Sequence, residues 1–254
     1  MSEVIDPALV REVAERVERV QARIRAACER AERDPAELTL VGACKRQPLE
    51  RIAAAVCAGV TSLGENYVQE ARAKQNALTD LLARHCAPDT APNPEWRLIG
   101  HLQRNKARHA VTLFCAVDSV DRPELARELD KRAGAAGTRI DLCLQVNLSG
   151  EASKSGTREA DLPELLAACE GLEHVRVIGL MTMPAPSADP EVGRGTFARL
   201  RALRDTLSRE PGGAGLTALN MGMSGDFEVA IEEGATLVRI GSALFGERPA
   251  RETE

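Results

Sequence analysis

Aromatic residues are scarce in this chain: Trp96, Tyr67 and four phenylalanines are all that its 254 residues contain. So few rings offer no platform on which unpaired bases could stack. A basic excess is missing as well, since the formal charge is −5, whereas proteins that neutralise nucleic-acid phosphates carry a positive balance on some face. The one local basic run, Arg104, Lys106 and Arg108, reads as a solvated helix face. No nucleic-acid partner is expected. Long apolar stretches are also absent. Nothing approaches the roughly 18 residues of a membrane span, and the opening MSEVIDPALVREVAERV lacks the apolar segment of a secretion signal. Paired cysteine motifs are lacking too: the seven cysteines, at 28, 44, 57, 86, 115, 143 and 169, are odd in number and scattered. They read as reduced thiols of a cytoplasmic protein, packed as small hydrophobes in the core. His85, His101, His109 and His174 make no ligand-spaced cluster, so no metal is expected.

What is present is aliphatic. Ala, Val, Leu and Ile supply most of a 44% hydrophobic content, and α/β barrels commonly use about this length for one domain. A single domain over 1–254 is the expectation. From Pro7 to Arg33, Leu9, Val10, Val13, Val17, Val20, Ile24 and Ala27 recur at three- and four-residue spacing behind an Asp6-Pro7 start, which predicts a long helix within 1–34. Across 38–248, eight apolar runs follow: 38–44, 60–64, 96–100, 113–117, 140–147, 175–183, 216–222 and 237–241. Seven helical patterns separate them, at 48–59, 66–85, 103–112, 122–134, 159–172, 190–207 and 226–234. Strands alternating with helices imply right-handed crossovers and a parallel sheet. An open doubly wound sheet would place a Gly-rich phosphate turn after its first strand, where this chain reads ACKRQP. A single TIM-type (β/α)8 barrel is therefore preferred. Its N-terminal helix would cover the groove that seven interstrand helices leave bare.

Chemistry in such barrels gathers at the C-terminal strand ends. Here those ends carry Cys44-Lys45-Arg46, Glu65-Asn66-Tyr67, His101, Asn147-Leu148-Ser149, Ser224-Gly225-Asp226 and Gly241-Ser242. A lysine closing an apolar strand is poorly solvated, which favours the neutral amine that attacks an aldehyde. Lys45 is thus a candidate for a Schiff base, although a lysine snorkelling to the rim would look the same by itself. Gly and Ser end both of the last two strands, where backbone N–H groups and hydroxyls can surround a phosphate. Glu65 and Asp226 open predicted helices, where an acid complements the dipole, with acid–base roles left open. His101 suits either loop hydrogen bonding or proton transfer. Ser153 and Lys154 lie in a polar loop that could reach an anion or a partner.

Seven segments then stand out as a set: LVGACKRQP, GENYVQEA, WRLIGHLQRNK, QVNLSGEASKSG, GLMTM, MGMSGDFEVAIEEG and RIGSALFGER. In this order they resemble the pyridoxal 5'-phosphate (PLP) homeostasis proteins, whose barrel is similar to the N-terminal domain of alanine racemase. The resemblance implies PLP as cofactor and Lys45 as its Schiff-base lysine. It also implies phosphate binding around Ser224, Gly241 and Ser242, with Arg239 facing the pyridine nitrogen. Asn66 and Met181 would lie near the ring, with His101 at the mouth. Two departures are visible. The usual Ser-Lys-Thr is Cys44-Lys45-Arg46, and the usual SMGMSxD begins with Asn220.

Racemisation of the alanine racemase type needs a second base, in that family a tyrosine from a separate C-terminal domain. The only tyrosine here is Tyr67. An arginine at the pyridine nitrogen stays protonated and weakens the ring as an electron sink. The first reading is therefore a non-catalytic PLP carrier or reservoir that supplies apo PLP enzymes, with monomer as the default state and the cytoplasm, expected from the cysteines, as its compartment. Two other readings stay open: a small PLP-dependent amino-acid racemase or lyase, and a sugar-phosphate barrel enzyme that uses Lys45 without PLP.

Overall fold

The structure is a computed structural model that describes residues 5–85, 91–149 and 155–247. Eight parallel strands pair in chain order and close on themselves. They are β1 (Thr39–Ala43), β2 (Ser62–Glu65), β3 (Glu95–Leu98), β4 (Ala116–Val120), β5 (Ile140–Gln145), β6 (Val175–Met181), β7 (Ala218–Met223) and β8 (Leu237–Ile240). Closure is explicit at Val41, which pairs with Ser62 on one side and Arg239 on the other. The expected α/β barrel is present.

Around it run α1 (Pro7–Arg30), α2 (Leu49–Cys57), α3 (Val68–His85), α4 (Ala107–Leu113), α5 (Pro123–Ala136), α6 (Leu162–Ala167), α7 (Arg194–Leu207), α8 (Phe227–Glu232) and α9 (Ser242–Phe245). Helix α1 starts where the sequence signals it: Asp6 accepts the Ala8 N–H at 2.9 Å, and Pro7 occupies the first turn. Its buried stripe of Val13, Val17, Val20, Ile24 and Ala27 packs against α2, α8 and α9. The N-terminal helix thus covers the barrel wall beside the short α9. Arg23 and Arg30 then tie α1 to α8 through Glu228 at 2.7 Å and Glu232 at 2.8 Å.

One strand lies further along than its apolar run. Leu113 ends α4, the Phe114 N–H still bonds back to Ala110, and β4 begins only at Ala116. The strand continues through Asp118 and Ser119, both fully buried. Hydrophobic patterning misses them because each is satisfied internally. Asp118 accepts from Arg97 Nη2 at 2.7 Å and Nε at 2.9 Å, and the Ser119 hydroxyl donates to the Gly100 carbonyl at 2.6 Å. The same shift corrects the cysteine reading. Cys28, Cys44, Cys143 and Cys169 are core, Cys57 is half-buried, and Cys115 is exposed in the connection entering β4; Cys86 lies outside the described residues. Among the described residues, no helix is long and apolar enough to cross a membrane.

Candidate functional site

The strand ends open on a cavity of about 420 Å³, within the size range of small-molecule sites. Six of the seven expected cofactor residues line it: Lys45, Asn66, Ser224, Arg239, Gly241 and Ser242. Met181 does not. It is fully buried at the end of β6, and Met183 lines the cavity in its place. Positions two apart share a facing along an extended strand, so Met183 sits one layer nearer the mouth. No acidic residue belongs to the described lining, while Lys45 and Arg239 supply positive charge. The cavity is built for an anion.

Arg239 comes from β8 and is almost wholly buried. Its guanidinium donates to the Asn220 carbonyl at 2.9 Å, to the Asn220 side-chain oxygen, and to the Thr182 carbonyl at 3.0 Å. Burial draws it below the ordinary arginine value while the charges of Asp118 and Asp226 oppose that shift. From so high a starting point the group stays protonated. Asn220 orients the guanidinium through both of its oxygens. Its own Nδ2 is buried without a hydrogen-bond partner.

At the ends of β7 and β8, the Ser224 hydroxyl accepts N–H groups from Gly241 at 3.2 Å and Ala243 at 3.5 Å. The turn that presents Ser224 is closed by Asp226, which accepts the Met223 N–H at 2.6 Å. Burial raises the Asp226 pKa. Asp226 therefore shapes the turn from outside the cavity lining. Glu65 also lies outside that lining. It ends β2 instead of opening a helix, and it pairs with Lys74 at 2.7 Å.

His101 does line the cavity, with Nδ1 3.8 Å from Asp121. Tyr67 is 57% exposed and is not among the lining residues. Sequence reasoning missed Gln145, Ser155 and Met223 as lining residues; Gln145 Nε2 donates to the Ser155 carbonyl at 2.8 Å. Gln145 was hidden inside an apolar run. Ser153 and Lys154 lie outside the described residues. Arg108 of the basic run lines a separate surface cavity of about 470 Å³ together with Arg72 and Arg132. All three belong to outer helices, Arg72 to α3, Arg108 to α4 and Arg132 to α5, and none lines the cavity at the strand ends.

A sequence profile described as "Alanine racemase, N-terminal domain" matches residues 16–249. A Pseudomonas aeruginosa protein named "Pyridoxal phosphate homeostasis protein" is 44% identical over 236 residues, which cover 93% of this chain and 96% of that one. The chain belongs to the pyridoxal phosphate homeostasis protein family. Among solved structures, PipY of Synechococcus elongatus with PLP bound aligns at a TM-score of 0.79 and 37% identity, covering 92% of this chain and all of that one. An alanine racemase of Clostridium difficile aligns at a TM-score of 0.69 with 13% identity, over 98% of this chain and 59% of the racemase. A likeness of that degree shows the barrel fold alone. The two residues flanking Lys45, Cys44 and Arg46, both stay out of the cavity lining. The Cys44 thiol is buried, donates to the Gly64 carbonyl at 3.3 Å, and is pushed well above the ordinary thiol pKa by burial. Arg46 is exposed and does not line the cavity.

Proposed function

We propose that this protein binds PLP in the barrel mouth and acts as a carrier or reservoir for it. The observation that carries this reading is one anion-compatible cavity joining a lysine at the end of β1 to hydroxyl and N–H donors at the ends of β7 and β8. The donor set fits the cofactor. Ser224 and Ser242, with the backbone of Gly241, would hold the phosphate, and Lys45 would carry the aldehyde end. Asn66 and Met183 would flank the ring, and Arg239 would face its nitrogen. When bound, PLP supplies an aldehyde for Schiff-base attachment and a ring that can withdraw electrons.

The chain's own residues restrain that withdrawal. A protonated Arg239 would donate a hydrogen bond to the ring nitrogen and accept no proton, leaving that nitrogen unprotonated. Tyr67 projects into solvent, and no carboxylate lines the described cavity to serve as second base. We therefore assign no catalytic residue. Cytoplasmic, monomeric storage of PLP and its delivery to apo PLP enzymes complete the proposal.

The test pairs two assays on PLP-loaded protein. A racemase, transaminase and lyase screen over the common amino acids is expected to show no turnover. Mixing with an apo PLP enzyme is expected to restore that enzyme's activity. A sustained rate of roughly 1–1000 per second on any amino acid, lost in Lys45→Ala, overturns the carrier reading. Protein that purifies without the yellow colour and takes up no added PLP overturns the cofactor and favours a sugar-phosphate ligand.

A further inference from the structure

Arg46 has φ +57°, in the left-handed region where a residue other than glycine needs support from its surroundings. The support comes from one charged cluster, and it holds both peptide groups that flank Lys45. On one side Lys74 Nζ donates to the Cys44 carbonyl at 2.8 Å. On the other, the Arg46 N–H donates to Glu70 Oε2 at 3.4 Å. Lys74 joins the two sides, lying 2.7 Å from Glu65 Oε2 and 3.4 Å from Glu70 Oε2. The second oxygen of Glu65 accepts the Asn66 N–H at 2.7 Å. Two cavity residues from different strand ends, Lys45 and Asn66, thus hang by their main chain from Lys74, Glu65 and Glu70. None of the three lines the cavity.

The cluster is sheltered: the Lys74 side chain is 15% exposed and that of Glu65 fully buried. Burial is the largest single influence and works against the Lys74 charge, yet the bond to Glu65 together with the nearby charges, those of Glu65 and Glu70 among them, raises its pKa above the ordinary lysine value. A charged donor therefore persists at the Cys44 carbonyl. Because the hold is on backbone atoms, it accommodates Cys and Arg side chains on either side of the lysine.

We propose that Lys74, with Glu65 and Glu70, is a positioning clamp that aims Lys45 at the cofactor aldehyde and sets the rate of covalent attachment, not the affinity for the phosphate. In that step the neutral Lys45 amine forms a C=N bond to the aldehyde carbon. The aldehyde oxygen leaves as water, taking the two amine protons. Misdirecting the amine slows this step and leaves the donors at β7 and β8 untouched. The proposal rests on Lys45 being the attachment point.

The experiment uses the full chain as wild type, Lys74→Met, Lys74→Arg and Glu70→Gln. Each apo protein is mixed rapidly with PLP to time covalent attachment by absorbance, and titrated with pyridoxine 5'-phosphate, which has no aldehyde, to measure affinity. Lys74→Met is expected to slow attachment about tenfold or more while changing pyridoxine phosphate affinity less than about twofold, since an ångström of misplacement can cost about a hundredfold in rate. Lys74→Arg should recover part of the rate, and Glu70→Gln should slow it to a smaller degree. An unchanged rate in Lys74→Met, or an equal loss of rate and affinity, overturns the clamp. Removing one member of a buried pair can prevent folding; should Lys74→Met not fold, Glu70→Gln decides, and a wild-type rate there overturns the proposal. Wild-type protein that binds PLP without a covalent link at Lys45 refutes the attachment point itself, and the clamp with it, before any variant is compared.

Discussion

The Ser224 hydroxyl reaches from the end of β7 to accept the Gly241 N–H at the end of β8, at 3.2 Å. Two adjacent strand ends are thereby locked at the place where a phosphate would collect the same donors. Backbone groups should carry much of the anion, so losing either hydroxyl weakens binding without abolishing it.

Ser224→Ala and Ser242→Ala are each expected to cost about 1.5–3 kcal/mol of PLP affinity, the usual worth of a hydrogen bond to a charged group. Equilibrium titration measures this. A double substitution with wild-type affinity would place the phosphate elsewhere.

Inside the barrel, Arg97 and Asp118 form a buried bidentate pair, with side chains 8% and 0% exposed. The nearby Asp118 charge and its hydrogen bonds outweigh burial and raise the Arg97 pKa. Asp118→Asn leaves that cation without its counter-charge, and a loss of about 3–5 kcal/mol in unfolding free energy is expected. Denaturant unfolding reads it directly. The double change Arg97→Met with Asp118→Leu should recover much of the loss, because it removes both desolvated charges. A single variant as stable as wild type would contradict the buried pairing.

Asp226 gives a pH-dependent prediction. Burial raises its folded pKa above the unfolded value, so its contribution to stability is greatest below the unfolded pKa and is lost as pH rises through the folded one. Asp226→Asn keeps an oxygen for the Met223 N–H and removes the charge. The variant is expected to be at least as stable as wild type at neutral pH, with the difference vanishing as pH falls below about 4. A variant less stable at neutral pH would show that the charged carboxylate, not its shape, holds the turn.

Most of the barrel was legible because its strands are apolar runs separated by amphipathic helices, and the long α1 carried its own cap and stripe. Legibility failed where polar groups are buried with partners distant in sequence. Asp118 and Ser119 fell beyond the apolar run 113–117 because their partners, Arg97 of β3 and Gly100 just after it, are distant in sequence. Glu65 read as a helix-opening acid since its partner Lys74 lies a turn and a half into α3. The motifs led to six residues that line the cavity, whereas Met181 is buried at the end of β6 and Met183 lines the cavity, a difference that turns on where β6 stops. That depends on which layer of the barrel closes beneath the mouth.

The most direct test is to reduce PLP-loaded protein with borohydride and map the modified peptide by mass. Covalent cofactor on Lys45 is the expected result, with none in Lys45→Ala, which should still hold PLP weakly through the Ser224 and Gly241 donors. A reduced adduct on Lys74 or any other lysine, or no adduct in fully loaded protein, would contradict the assignment of this cavity as a PLP site anchored at Lys45.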